Sequence, residues 1–529
     1  MSLLTDHPHY LPDTRRHQHK GTVFRVLRSE TYVPHTMPGI LNTGDLLALY
    51  VLAVFWISNV TGIATGGAAA LTYLAIIALA FFLPCALVTA QLGCLFPVEG
   101  SIYAWTEKAL GQFWSFFVGL CAWLPGILSL VSAADVVVNR LQSLNPTWLV
   151  PAWQQGLVIL SVTLFAGLVS MQPARVVQNL LNAAAIGIGL TVLLIGAAGI
   201  SWLLTGHASA TLFAVPANWA IGLNPQTGNI GLFGTVTLAF LGATMPLTMS
   251  GELAPSIASN SKARRMSITR HLLWGSLFVI VGYLIVTGAV LIVAGPQAAL
   301  NAPNPITLLV GVVDTSFGKL AGDGVMLGVL LFFLLVAVFE NVISARLLLV
   351  AGIEGRLPMW IARLNRWRVP ANALLFQTGI ALLYTALIFF VIPLFTALGN
   401  PANLTVEAYT VTAASLLLVW AVSFSLSLCG RAGAVGTLPI ALSAAPHRTI
   451  THHMGRQHIW HAGMSVDHRR YAAFLLDTGT DCLQSLVGAR RWIDDRLSRH
   501  LYDWQYACYQ RGRLGTVAGA ASNGPYQLT

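Results

Sequence analysis

The sequence predicts an all-α integral membrane protein with about ten transmembrane helices in a five-plus-five inverted repeat, helices 1 and 6 being discontinuous. Three observations carry this. The 529 residues are 56% hydrophobic and only 9% charged, where soluble domains carry about 25% charged residues. Ten windows are nearly free of charge over the ~20 residues that cross ~30 Å of hydrocarbon. The first and sixth of these windows are interrupted by polar, glycine and proline residues at mid-depth.

Residues 1–45 contain no apolar core of signal-peptide type and read as a cytosolic arm. Spans 1 to 5 fall at 46–68, 71–95, 113–139, 153–172 and 180–205, and spans 6 to 10 at 230–251, 271–294, 324–347, 371–393 and 407–429. Residues 46–430 form the ten-helix core, and 431–529 a basic cytosolic tail. Segments this long and uniformly apolar exclude an outer-membrane barrel, whose strands are shorter and alternate in hydrophobicity.

Lys and Arg set the orientation. With the N-terminus inside, the inner segments before residue 431 hold sixteen basic residues and the outer segments two, Arg140 and Lys319. The remaining eleven lie from Arg431 onward, and an even span count places them inside as well. The net charge of +10 therefore reflects this asymmetry and attraction to anionic membrane lipid; nucleic acid is not an expected partner. The six cysteines show no metal-ligand spacing, and neither a metal nor another cofactor is expected.

Span 1 contains FWISNVTGIATGGAAALTY, from Phe55 to Tyr73, and span 6 contains FLGATMPLTMSGE, from Phe240 to Glu252. Non-helical backbone in hydrocarbon leaves bare N–H and C=O groups, so it persists only where protein buries it or a watery cavity lines it. Pro246 lacks an N–H and clashes with the preceding turn. Interruptions at spans 1 and 6 of ten are what an inverted repeat with a midplane substrate site requires.

Three further stretches resemble the amino acid, polyamine and organocation transporters. QLGCLFPVEGSIYAWTEKALG (Gln91 to Gly111) is similar to the family's loop after its second helix, and PARVVQN (Pro173 to Asn179) to its entry into helix five. SARLLLVAGIEGRLPMWIARLNRWRVPANAL (Ser344 to Leu374) resembles its Ser-x-Arg, Gly-x-x-Pro and later Pro pattern, the most specific of the three. The resemblance covers about 42–430 and implies an amino acid permease of LeuT-like fold; Ser58 and Tyr103-x-Trp105 lean toward the glutamate and γ-aminobutyrate exchanger branch. Gln91 stands where members often have an acid, and Thr244 where they have a glutamate. Most members have twelve spans.

In that architecture an amino acid carboxylate suits the N–H groups of a half-helix, here about Thr61 to Thr65. Its ammonium suits carbonyls freed near Ile57 to Asn59 and Phe240 to Ala243. The expected substrate site is therefore Ser58, Asn59, Thr61, Gly62, Ile63, Phe240, Gly242, Ala243 and Thr244. No charged side chain lies in either break, so recognition by backbone is expected.

Other polar positions have plainer readings. Asp45 reads as a dipole partner at the start of span 1, and Asp135 as a structural pair with Asn139 or Arg140. Trp123, Pro125 and Gly126 mark a bend in span 3, facing substrate or packing. Glu340 lies fifteen residues past Val325, about 22 Å along span 8 at 1.5 Å per residue. It is either a proton-coupling or gating carboxylate or a structural partner to a neighbouring helix. In the tail, His452, His453, His458 and His461 have no helical or turn pattern, while Leu483 to Cys508 have helical spacing suited to an interfacial helix. The functional expectation is a secondary transporter of amino acids or related amines, proton-coupled or exchanging, not an enzyme, in the cell membrane; the alternative is a non-transporting amino acid sensor.

Overall fold

Span 1 starts on a side-chain cap. In the computed structural model Asn42 Oδ1 accepts from the N–H groups of Gly44 and Asp45 at 2.8 and 3.0 Å, and Asp45 Oδ2 accepts from Asn42 N at 3.0 Å. Donors that no earlier turn can serve are thereby satisfied reciprocally. Asp45 Oδ2 also meets Arg175 of span 5 at 2.9 Å and Oδ1 accepts from Asn182 at 2.7 Å, so the acid both caps span 1 and fastens it to span 5. The structure describes residues 26–394 except 146, 223–228 and 303–304, together with residue 419.

The described spans are helical where the apolar windows place them. Span 1 is Thr43–Val54 followed by Asn59–Ala64, and span 6 is Gly231–Ala239 followed by a 3-10 segment, Met245–Glu252. Ala68–Leu95, Gln112–Leu144, Ala152–Ser170 and Ala174–Leu204 supply spans 2 to 5. Ser261–Val293, Lys319–Ile353 and Ala371–Leu394 supply spans 7 to 9. These seven unbroken helices are each long and apolar enough to cross a membrane. Apart from residue 419, the expected span 10 at 407–429 lies outside the described residues, as do the histidines and helical spacing of the tail.

The breaks run in opposite chain directions. Leu41, just before span 1, pairs with Leu253, just after span 6. Ile40 N and Leu41 N donate to Glu252 O at 2.9 and 3.0 Å, and Ala254 N donates to Leu41 O at 2.9 Å. The beginning of one broken span is thus latched to the end of the other, the antiparallel relation that an inverted repeat imposes.

Span 8 lies at the centre of the core. With span 3, against which it packs, it is the most buried of the long helices, 61% and 67% of their most apolar windows against 33% for spans 4 and 9, which turn Leu157, Leu164, Leu383 and Leu387 outward as a surface for hydrocarbon. Pro125 sits inside a single continuous helix, so the bend expected in span 3 does not divide it. Shorter α-helices among the described residues were not foreseen, among them Arg28–Thr36, Ser101–Leu110, Gly295–Asn301 and Pro305–Phe317. The first packs Val33 with Met37 against Leu349 and Ala362, so the segment preceding span 1 is docked on the core from Leu27 onward.

Candidate functional site

The break in span 1 falls at Phe55 to Ser58, ahead of the glycine-rich stretch. Gly66 and Gly67 instead make the turn into span 2, Gly67 at φ +58°. In span 6 the break is Phe240 to Thr244, and Pro246 opens the second half rather than interrupting it, a position where its missing N–H costs no helical bond. Gly242 has φ +110°, and a Cβ there would stand 2.8 Å from Ala53 O. The span 6 break therefore lies against the backbone of the last turn of span 1's first half.

One side chain ties them. Tyr283 of span 7 is fully buried, and its hydroxyl lies 3.3 Å from Val54 O, 3.2 Å from Trp56 O and 3.3 Å from Ala239 O, while accepting from Trp56 N at 3.1 Å. Asn59 Nδ2 reaches the same oxygen at 3.5 Å. Around it Phe82 stacks on Phe240 at 4.7 Å between centroids, Phe55 lies 4.8 Å from the Tyr283 ring, and Trp56 meets Phe333 of span 8 edge-on at 5.6 Å. No sequence pattern marks Tyr283, an aromatic residue in an otherwise apolar span.

Backbone groups remain over. Among the described residues, the N–H groups of Ile57, Ser58, Thr61, Gly242, Ala243 and Thr244 donate to nothing, and the carbonyls of Phe240, Leu241 and Ala243 accept from nothing. Asn59 N and Val60 N instead close turns onto Trp56 O and Ile57 O at 3.0 and 3.2 Å. Spare donors thus lie on both sides of the half-helix start, at Ile57 and Ser58 before it and at Thr61 within its first turn, while the Ile57 carbonyl is already used. Thr244 is buried with its Oγ1 unpartnered, as is Thr287 one turn beyond Tyr283.

The expected site residues divide by position. Phe240, Gly242, Ala243 and Thr244 are buried at the span 6 break, with Ser58 and Asn59 half-buried opposite. Ile63 is buried, Gly62 is exposed with Thr235 Cγ2 3.5 Å from a notional Cβ, and Thr61 Oγ1 bonds Pro305 O at 3.3 Å. Those three lie past the break. Glu340 is buried with its Oε2 unpartnered among the described residues. It follows Phe333 by seven residues, two helical turns, and so shares the face that meets Trp56. Ser344 Oγ lies against Gly126 of span 3. Trp123 Nε1 donates to Gln377 Oε1 of span 9, so this part of span 3 packs. Asp135 accepts from Asn139 at 2.9 Å, whereas Arg140 lies beside Met326, in the field of Asp314 and Asp323.

Residues 41–440 match the family model for amino acid permeases. The chain belongs to the amino acid permease family. The permease is 24% identical over 347 residues to an uncharacterized transporter of Legionella pneumophila, covering 64% of this chain and 71% of that one. It is 24% identical over 327 residues to the lysine-specific permease of Escherichia coli, covering 60% and 63% of the two chains. Over 298 residues it is 24% identical to that organism's gamma-aminobutyric acid permease, covering 56% and 60%. The lean of Ser58 and Tyr103-x-Trp105 is weakly consistent with this last relative. With its apolar helices, the family places the chain among multi-pass membrane transporters.

Proposed function

We propose that this permease is a secondary active transporter that moves amino acids or related amines across the cell membrane by alternating access, with both termini cytosolic. The carrying observation is the meeting of two chain breaks at Tyr283, with amide donors and carbonyls of both breaks left unpaired among the described residues. A zwitterion fits such a place, since its carboxylate takes amide donors and its ammonium takes carbonyls. We assign Ser58, Asn59, Phe240, Gly242, Ala243 and Thr244 to the α-amino acid group, and Thr61, Gly62 and Ile63 to the path leading past it. Neither break carries a charged side chain, so the substrate side chain is not held by an ion pair there. Relatives named as lysine and gamma-aminobutyric acid permeases support a small amino or amino acid substrate. The working unit is the core at 46–430, with the basic tail drawn to anionic lipid.

The test is uptake of a labelled panel (lysine, glutamate, γ-aminobutyrate, phenylalanine, putrescine) into proteoliposomes, with and without a pH gradient. Saturable flux of at least one compound is expected. Saturable binding of a panel member without flux identifies a sensor instead.

Glu340 is assigned to proton coupling. A buried intramembrane carboxylate with an unpartnered oxygen is stable when protonated and costly when charged. Glu340→Gln should flatten the pH dependence of net uptake between about pH 5.5 and 8 while equilibrium exchange persists. An unchanged profile removes Glu340 from the scheme, and a strict sodium requirement in the parent removes the proton scheme.

A further inference from the structure

At the latched end of the core, three ionisable side chains from three separate elements are closed off from solvent. Glu99 comes from the loop after span 2, Glu252 from the last position of span 6 and Arg346 from span 8, at 1%, 0% and 1% exposure. Arg346 Nε lies 2.9 Å from Glu252 Oε1 and 3.8 Å from Glu99 Oε1. Glu99 Oε2 accepts from Gly251 N at 3.1 Å. Two carboxylates thus share one guanidinium, and among the described residues Glu99 Oε1 and Glu252 Oε2 have no hydrogen-bond partner.

The charges of neighbouring elements are committed elsewhere. On the N-terminal helix Glu30 pairs with Lys108, His35 is exposed and Ser29 bonds Glu354. On the helix after the loop Glu107 and Arg356 act on Tyr103, and Arg175 of span 5 holds Asp45. Glu340 precedes Arg346 by six residues on span 8, about 9 Å along its axis. The charges that act on Glu99 are those of Glu252 and Arg346. With both acids ionised the cluster carries one uncompensated negative charge in a dry site, an arrangement that proteins avoid by neutralising a group.

We propose that Glu99, Glu252 and Arg346 form a proton-binding site that holds one proton while the Leu41–Leu253 latch is closed and loses it when that end opens. Glu252 supplies both halves of the coupling: its carboxylate belongs to the cluster, and its carbonyl takes the N–H groups of Ile40 and Leu41. Parting the latch moves Glu252 and admits water to the acids, removing the reason to keep one neutral. Burial first, and then the charge of Glu252, pushes the Glu99 carboxyl well above the usual carboxylate range, with Arg346 and the Gly251 N–H opposing. The proton is therefore held to a higher pH than an ordinary carboxyl would hold it and is given up as pH rises. This site is distinct from Glu340, and its link to transport rests on the alternating-access reading above.

Proton binding is measured without reference to transport, by infrared titration of the protonated-carboxyl stretch in the detergent-solubilised full chain. Glu99→Gln should lose the band of one carboxyl while Glu340→Gln retains it, and Glu99→Asp should shift it. In proteoliposomes Glu99→Gln should carry fewer protons per substrate, read with an internal pH dye, while exchange at fixed pH continues. A band unchanged in Glu99→Gln overturns the proposal. So does failure of Glu99→Gln to fold as the parent does, because a carboxamide has nearly the shape of a neutral carboxyl. Displacement of the proton by sodium in the parent overturns it too, by making the cluster a cation site. If the band behaves as expected but no panel compound is transported, the proton site stands and the transport reading falls.

Discussion

Gly242 shows how a single position limits the site. Its φ of +110° lies where L side chains are strained by about 1–2 kcal/mol, and any Cβ meets Ala53 O at 2.8 Å. The backbone of span 1 is fixed at this place, because the Tyr283 hydroxyl bonds Val54 O and Trp56 N. Gly242→Ala should therefore lower uptake about tenfold or more, whereas Gly62→Ala, at an exposed position with 3.5 Å to Thr235, should leave it within about twofold. Uptake by both variants at matched membrane levels checks the contrast, and equal activities would detach the site from the span 6 break. At this scale the sequence was partly legible. Glycine, serine and asparagine in an apolar run announce irregular backbone, but not which of them form it. The span 1 break opens at Phe55, an ordinary apolar residue, because the Tyr283 hydroxyl substitutes there for helical partners and no property of Phe55 itself records that. Glu99, Glu252 and Arg346 each stood in quoted motifs, yet lie far apart in sequence, and only folding gathers two acids around one cation.

Helices were legible in proportion to length. A window of about 20 apolar residues has one physical meaning in a membrane protein, so all nine described spans fall where such windows lie. Pro305–Phe317, thirteen residues long, is too short to span and is buried on one side only, against spans 5 and 8; a search for spans passes over it. Arg28–Thr36 is polar and contains Pro34, so nothing in its composition predicts docking. Its attachment is specific nonetheless. Ser29 N and Oγ donate to Glu354 Oε1 at 2.8 and 3.0 Å, Glu30 meets Lys108 at 2.6 Å, and Val33 is fully buried. Burying one valine stabilises by about 1.5–3 kcal/mol, and the partly buried pair adds less. Deletion of residues 1–25 should leave the melting temperature in detergent unchanged, while deletion of residues 1–37 should lower it by several degrees. Equal melting of the two forms would make the helix an ornament of the surface rather than part of the core.

At the scale of the whole molecule, the latch between Leu41 and Leu253 is where alternating access can be arrested. The pair lies in a bridge between the start of span 1 and the end of span 6, and paired extended residues fall within the ~4.4–6.8 Å Cα separation that a disulfide spans. If transport requires this end to part, a covalent bond here holds the core shut without touching the breaks or Tyr283. Leu41→Cys with Leu253→Cys, placed in a chain whose own cysteines are replaced, should lose net uptake and exchange on oxidation and regain both on reduction, while each single variant responds to neither treatment. Substrate binding by the oxidised form should persist, because its donors and carbonyls lie at the other end of the same half-helices. Full transport by the oxidised double variant would place the moving gate elsewhere, and with it any coupling through Glu252. The outcome thus bears on the architecture as a unit: two broken spans that cross at one tyrosine and are latched at one end form a rocker only if that latch opens.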